Sequence, residues 1–409
     1  MSPSKLKVLP EDFVVREEID LPIKESGPHR VYLMEKRSWN TVDAIRSIAR
    51  ASGVSPSTIR YAGLKDRHAL TYQHISVPRD MELVTGNPSV KLTFLGFSQN
   101  FVSTKVLSGN AFRVTLRSLS PEEAYAIRAR TPEIEAYGFP NYYDDQRFGS
   151  VGTEGFFAER LLKGHLRGAL RLHLTSVHSS DSASERERKY RIGQVWGKWD
   201  EVLRLCVTPE ERAVAEALKK GGRRKDLLSG INAISPSQTA LYLSAYQSYL
   251  WNRVLGVVLR RYVDDKQFAV PGKVGDYTFY RGLSPEAFRR LRLLQIPTAA
   301  RRVLPCEPEV KEAIEAVLEE AGIPRNAFTL RGVRNAYFHS FYRPAIVVPR
   351  DLVVGNVESD ERYPGRGKVC LEFRLTAGSY ATMFVKAMVG LAGNAGKSGE
   401  GDHEDDDAE

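Results

Sequence analysis

The sequence predicts an α+β fold in which a mainly helical domain interrupts a sheet-containing one. Three observations lead there. Short strand-like runs fill residues 13–118, helical spacing and polar connections dominate residues 150–260, and β-branched runs return after residue 331. The first and last segments then build one domain (1–150 with 331–392), residues 151–330 form a second, and residues 393–409 make a disordered acidic tail.

Taken in order, FVVREEI (13–19) and HRVYLMEK (29–36) read as strands, with Gly27 and Pro28 supplying the turn between them. Residues 41–50 read as a helix capped by Asn40 or Thr41, with Val42, Ile45, Ile48 and Ala49 on its apolar face. Residues 57–63, 70–77, 90–97 and 111–118 read as further strands. In the middle region the clearest helix spans residues 236–262. Ser235 and Gln238 form a capping-box pattern, Pro236 takes the first helical position, and Leu241, Ala245, Tyr249, Trp251, Leu255, Val258 and Tyr262 line one face. The polar run 178–191 reads as an exposed loop. Residues 345–357 and 368–385 read as the returning strands.

Composition narrows the function classes. No apolar run approaches the ~18 residues of a membrane span, and no apolar signal core follows the first lysines. Cys206, Cys306 and Cys370 lie far apart, against a disulfide framework or structural zinc, and a reducing cytoplasm is the expected setting. The net charge of the 409-residue chain is +9. The seven acids of residues 399–409 conceal part of the basic excess, leaving +16 on residues 1–398. Such a body suits a polyanionic partner, RNA or DNA. Two candidate patches are Lys219, Lys220, Arg223, Arg224 and Lys225, and Arg289, Arg290, Arg292, Arg301 and Arg302; each is equally a solvated face.

The stretch 61–77, YAGLKDRHALTYQHISV, is the most informative. Asp66 falls in the loop between two predicted strands, flanked by Lys65, Arg67 and His68, whose positive charge favours an ionised carboxylate. Such a group can act as nucleophile or base; an Asp there equally makes a turn.

Gly63-Leu64-Lys65-Asp66-Arg67-His68-Ala69, followed by Thr71 and Gln73, resembles the signature of the TruD pseudouridine synthases, G-x-K-D-[KR]-x-A-x-T-x-Q, whose Asp is catalytic. Further blocks stand in the family's order. They are Pro10-Glu11-Asp12-Phe13-Val14-Val15-Arg16-Glu17, continued by Gly27, His29, Lys36 and Thr41; Gly109-Asn110-Ala111-Phe112; and Phe139-Pro140-Asn141-Tyr142-Tyr143 with Gln146-Arg147-Phe148-Gly149. Ser244-Ala245, Gln247-Ser248 and Trp251-Asn252 follow, and then Gly378-Ser379-Tyr380-Ala381-Thr382. Two departures are Asp144, where the family usually has Gly, and Lys386-Ala387, where many members have Arg-Glu.

The resemblance implies a pseudouridine-synthase catalytic domain with a mixed, mostly antiparallel sheet, interrupted by a mainly helical α/β insertion specific to the family. It implies isomerisation of uridine in tRNA, most often at position 13; a monomer is the default expectation, and no cofactor or metal is expected. Breaking the glycosidic bond and rejoining uracil through carbon-5 involves no redox change and no net hydrolysis. Asp66 would be the catalytic carboxylate, Phe112 and Tyr380 the aromatic platform for a base flipped out of the stack, Asn110 a hydrogen-bonding partner, and Glu17 and Lys65 active-site neighbours. By residue type alone, Phe112 and Tyr380 are equally core, Asn110 a turn residue after Gly109, and Glu17 a solvated strand position. Arg147, Gln146, Gln247 and Trp251 read as scaffold. The alternative is an RNA-binding protein without catalysis. A phosphate-loop hydrolase fails because Leu391 stands where the run ending Gly396-Lys397-Ser398 needs glycine.

Overall fold

Strand alternation in the N-terminal third builds a sheet that the C-terminal segment completes. In this computed structural model, which describes residues 5–152, 154–178, 181–263 and 267–390, the chain forms two compact units. The first runs to Phe139 and resumes at Val347; the second is Pro140–Ile346. The predicted boundaries lay at 150/151 and 330/331, in stretches poor in regular structure where periodicity carries no signal. The acidic stretch 393–409 and its Gly-Lys-Ser run lie outside the described residues.

The first unit carries β1 (Phe13–Ile19), β2 (His29–Arg37), α1 (Thr41–Ser52), β3 (Arg60–Tyr61), β4 (Leu70–Pro78), β5 (Val90–Ser98), β6 (Leu107–Leu119), α2 (Pro121–Tyr137) and the start of β7 (Phe139–Pro140). The second unit carries α3 (Phe157–Leu162), α4 (Leu166–Thr175), α5 (Ala183–Gln194), α6 (Trp199–Leu205), α7 (Pro209–Lys219), α8 (Arg224–Ile231) and α9 (Pro236–Leu259). It continues with β8 (Gln267–Val270), β9 (Tyr277–Tyr280), α10 (Pro285–Leu293), β10 (Gln295–Pro297), α11 (Pro308–Glu320) and β11 (Tyr342–Pro344). From β12 (Ile346–Val347) the chain re-enters the first unit with β13 (Arg350–Val354), β14 (Glu358–Ser359), β15 (Gly367–Thr376) and α12 (Ala381–Val389).

Among the described residues the first unit's sheet has nine strands, ordered β13-β15-β6-β1-β4-β2-β5, with β14 on β15 and β3 on β4. The β1–β4 pair is parallel and its other ladders are antiparallel, so the sheet is mixed and mostly antiparallel. Residues opposite one another in a ladder share a face. One face therefore gathers Phe13, Val15 and Glu17 of β1, Asn110 and Phe112 of β6, Phe373 of β15, Lys36 of β2, and Thr71 and Gln73 of β4. Helix α1 covers this face over β2 and β4, packing Ala44, Ile45 and Ile48 with Tyr32, Met34, Ile75 and Val77. Helix α12 covers it over β15, where Phe384 meets Phe373 with ring centroids 3.9 Å apart. β1 lies between these two covered halves.

Local chemistry sets the element ends. Asn40 caps α1 by accepting from the Asp43 N–H at 2.8 Å, which leaves the Thr41 hydroxyl for other work, and Gly53 ends the helix at φ +67°. Helix α2, absent from the sequence reading, has a full Ser120–Glu123 capping box but carries Pro132 internally and lacks a clear apolar stripe. The run 178–191 is largely helix α5, not loop. Ser182 caps it, and its polar side chains are paired: Lys189 with Asp181 at 2.8 Å and Arg188 with Glu211 at 2.9 Å. Because Lys189 and Ile192 are its buried residues, it shows no hydrophobic period. In α9, Pro236 holds the first position but Ser235 makes no side-chain cap. Of the predicted apolar face, Ala245, Trp251, Leu255 and Val258 are buried and Leu241 is 43% exposed, while Tyr242, Leu243 and Tyr246 are buried as well, so burial runs around most of the helix. Of residues 57–63, Arg60–Tyr61 alone form strand. Residues 377–385 leave the strand and enter α12. Among the described residues no helix is long and apolar enough to cross a membrane.

Candidate active site

The loop bearing Asp66 joins β3 to β4 over the β1–β4 region, and three side chains hold its backbone. The Thr41 hydroxyl accepts from the Lys65 N–H at 3.0 Å and donates to Gln73 Oε1 at 3.2 Å. The Gln73 amide donates to the Gly63 carbonyl. Lys36 Nζ donates to the carbonyls of Trp39 at 2.7 Å and Asp66 at 2.8 Å, with that of Lys65 at 3.5 Å. Lys36 is 0% exposed. Burial lowers its pKa to about 8; Asp66 opposes that drop and Lys65 adds to it. The Lys, Thr and Gln of the recurring pattern thus fix the shape of one loop.

The ionic partners differ from those predicted. Lys65 turns away from Asp66 and lies 2.8 Å from Glu17, while Arg67 and His68 are exposed. Asp66 instead faces Lys7, with Oδ2 3.2 Å from Nζ. Adjacent residues in an extended segment point apart, so the neighbour in sequence is not the neighbour in space. Lys7 escaped sequence reading because nothing local ties it to a loop nearly sixty residues later. Its backbone is left-handed, at φ +60°. The segment is anchored by the reciprocal Lys5–Arg117 backbone bridge, and the buried Arg117 in turn binds Asp12 at 2.9 Å and Asp360 at 3.0 Å.

Glu17 is buried on the same face, not solvated. Its Oε2 accepts from the His74 N–H at 2.8 Å. Burial pushes its pKa up, but the His74 hydrogen bonds and the Lys65 charge outweigh burial and hold it below the usual range. Asn110 sits opposite Glu17 in the β1–β6 ladder. It belongs to a strand, not a turn; Gly109 is required because a Cβ there would lie 2.5 Å from the Leu375 carbonyl oxygen. Asn110 Oδ1 is buried without a hydrogen-bond partner among the described residues.

Phe112 is 9% exposed and belongs to a row of rings. It stacks on Phe373 at 5.3 Å, meets Phe13 edge-on at 6.2 Å, and Lys7 Nζ lies 4.1 Å from the Phe13 centroid. Asp66 and Phe112 are therefore connected through Lys7 and Phe13. Tyr380 caps α12, half-buried, one turn before Phe384.

The second unit holds the remaining motifs as scaffold. Asn252 pairs with both the N–H and the carbonyl of Tyr143 at 2.8 Å, Trp251 donates to Ile296, Gln247 to Ala299 and His339, and Arg147 to Ser248. The two basic clusters are partly neutralised. Lys219 binds Asp200, Arg223 binds Asp226, Arg224 donates to the Arg331 carbonyl, and Arg290 binds Glu307 and Glu309. Lys220, Lys225, Arg301 and Arg302 are exposed. Arg289 donates to its own helix at Pro285, and Arg292 lies near the Phe288 ring.

The family model described as tRNA pseudouridine synthase D (TruD) matches residues 3–281. A Methanocaldococcus jannaschii protein named "Probable tRNA pseudouridine synthase D 2" is 32% identical over 386 residues, covering 93% of this chain and 90% of its own. The tRNA pseudouridine synthase D of Leptospira interrogans is 31% identical over 401 residues, covering 94% of this chain and 95% of its own. A crystal structure from Methanosarcina mazei, assigned to TruD, superposes with a TM-score of 0.70 at 24% identity, covering 95% of this chain and 93% of that one, and speaks for the fold. The chain belongs to the tRNA pseudouridine synthase D (TruD) family.

Proposed function

We propose that this protein isomerises uridine to pseudouridine in tRNA, at position 13, with Asp66 as the catalytic carboxylate. The observation that carries the reading is a half-accessible carboxylate, 29% exposed, on a loop held by Lys36, Thr41 and Gln73 and facing Lys7. Such a group is charged, positioned and open to a nucleoside. In the reaction the N1–C1′ bond breaks, a C5–C1′ bond forms, the C5 hydrogen leaves as a proton, and N1 takes up a proton from solvent. Atoms and electrons balance without a co-reactant.

In this reading the target base leaves the RNA stack. Phe112 and Tyr380 bracket it, and the free Asn110 Oδ1 accepts from an imide N–H of the uracil. Glu17 and Lys65 act as an ion pair that stiffens the floor beneath the base. The first unit is the catalytic domain and the second the family's insertion. The surface lysines and arginines of the second unit, Lys220, Lys225, Arg301 and Arg302 among them, meet RNA phosphates.

The test is tritium release from tRNA carrying carbon-5-labelled uridine, comparing wild type with Asp66→Ala. Release by wild type that disappears in the variant supports both reaction and residue. A wild type that binds tRNA but releases no label returns the protein to the non-catalytic RNA-binding reading.

A further inference from the structure

In the second unit, three segments meet at a surface that the catalytic reading does not use. Arg167 and Arg171 stand one turn apart on the outer face of α4, whose buried side is Ala169, Leu170, Leu172 and Leu174. The corner between α5 and α6 supplies Trp196 and Trp199, half-buried, with ring centroids 5.1 Å apart and planes at 77°. The Arg167 guanidinium lies 5.7 Å from the Trp199 ring centroid, and that of Arg171 lies 5.8 Å from the Trp196 centroid. The third segment is the turn between α7 and α8. Gly222, at φ +79°, borders Arg167: a Cβ there would make ordinary contact with Nη1, at 3.6 Å. Lys219 reaches from this turn to Asp200, the residue after Trp199.

Acids answer part of the charge: Glu154 lies 3.9 Å from Arg171, Glu201 3.6 Å from Lys198, and Asp200 and Asp226 pair with Lys219 and Arg223. Arg167 and Lys220 are exposed and have no carboxylate partner among the described residues. Two half-open indole rings interleaved with guanidinium planes and free cations make a stacking platform beside phosphate-binding charge. An acidic peptide would use the cations and leave the rings idle. A strand with splayed bases uses both.

We propose that this Trp–Arg surface holds an unpaired stretch of the tRNA substrate, one base stacking on Trp196 or Trp199 while Arg167, Arg171 and Lys220 take the adjoining phosphates. The proposal rests on the functional reading above.

The test titrates full-length protein with unmodified tRNA across a salt series, following both anisotropy of labelled tRNA and tryptophan fluorescence, with turnover by tritium release alongside. Arg167→Gln/Arg171→Gln should weaken binding about tenfold and flatten the dependence of log Kd on log salt by about one to two. It should raise KM and leave kcat unchanged at saturating tRNA. The Trp196→Phe/Trp199→Phe protein retains rings, so it should bind within about threefold of wild type while losing most of the RNA-induced fluorescence quench. That signal separates base stacking from a purely structural role. Variants that bind like wild type, with the same salt slope and an intact quench, overturn the proposal. A wild type that neither binds nor modifies tRNA fails the functional reading before any variant is made, and the surface falls with it.

Discussion

Replacing Lys36 by Met should separate activity from stability. The ammonium makes two close bonds, to the Trp39 and Asp66 carbonyls, from a site with no solvent access. Its displacement from the ordinary 10.5 to about 8 means that burial and the Lys65 charge, net of the Asp66 attraction, disfavour the ammonium by on the order of 3 kcal/mol. Met removes that cost and fills most of the same volume. It leaves two carbonyls without their donor, at about 1–3 kcal/mol each. The two effects largely offset, so global stability should change by no more than about 3 kcal/mol. Activity should fall far more. With the tether at Asp66 gone, a shift of its carboxylate by about 1 Å is enough for roughly a hundredfold loss in kcat.

The pH dependence gives a second readout. Between about pH 8 and 10.5 the unfolded chain retains a proton at residue 36 that the folded protein has released. Wild-type stability therefore gains a rising contribution through that window, and Lys36→Met should lose it. The assays are tritium release under saturating tRNA and denaturant unfolding at several pH values. A Lys36→Met protein that turns over within threefold of wild type would refute the claim that this side chain sets the loop.

Three further outcomes follow from the geometry. Lys7→Met should lower kcat by tenfold or more while costing under about 1 kcal/mol of stability, and Lys7→Arg should restore part of the rate; equal rates in all three would remove the Lys7–Asp66 pair from the mechanism. Arg117→Ala strips the buried Asp12 and Asp360 of their cation, so unfolding measurements should show a loss of about 3–5 kcal/mol, with activity falling as the Lys5 bridge loosens. Glu17 is held below its ordinary 4.5, so its contribution to stability is present above that pH and lost as pH falls through the lower folded value. Glu17→Gln should flatten that acid limb, and an unchanged acid-unfolding profile would show that the Lys65 and His74 contacts carry no net weight.

The site was only partly legible before folding. Asp66, Glu17, Asn110, Phe112 and Tyr380 are candidates reached through blocks that resemble the family's, because each block is contiguous and survives reading along the chain. Their surroundings were not. Lys65 was expected to serve Asp66 and instead serves Glu17; Lys7, which does face Asp66, had no local signature. Lys36 and Thr41 were noticed as members of a pattern, without their work as fasteners of the Asp66 loop.

By itself the sequence determined the order of strand-rich and helical regions, the basic body and the family. Those depend on composition, period and short contiguous runs. Tertiary structure decided which charges pair, which face Asn110 and Glu17 occupy, that the polar run 178–191 contains a helix, and where one unit ends and the next begins. The physical reason is range. Ladder register and buried ion pairs join residues tens to hundreds of positions apart, as Arg117 joins Asp12 to Asp360. Their energies come from burial and geometry that exist only once the sheet has formed.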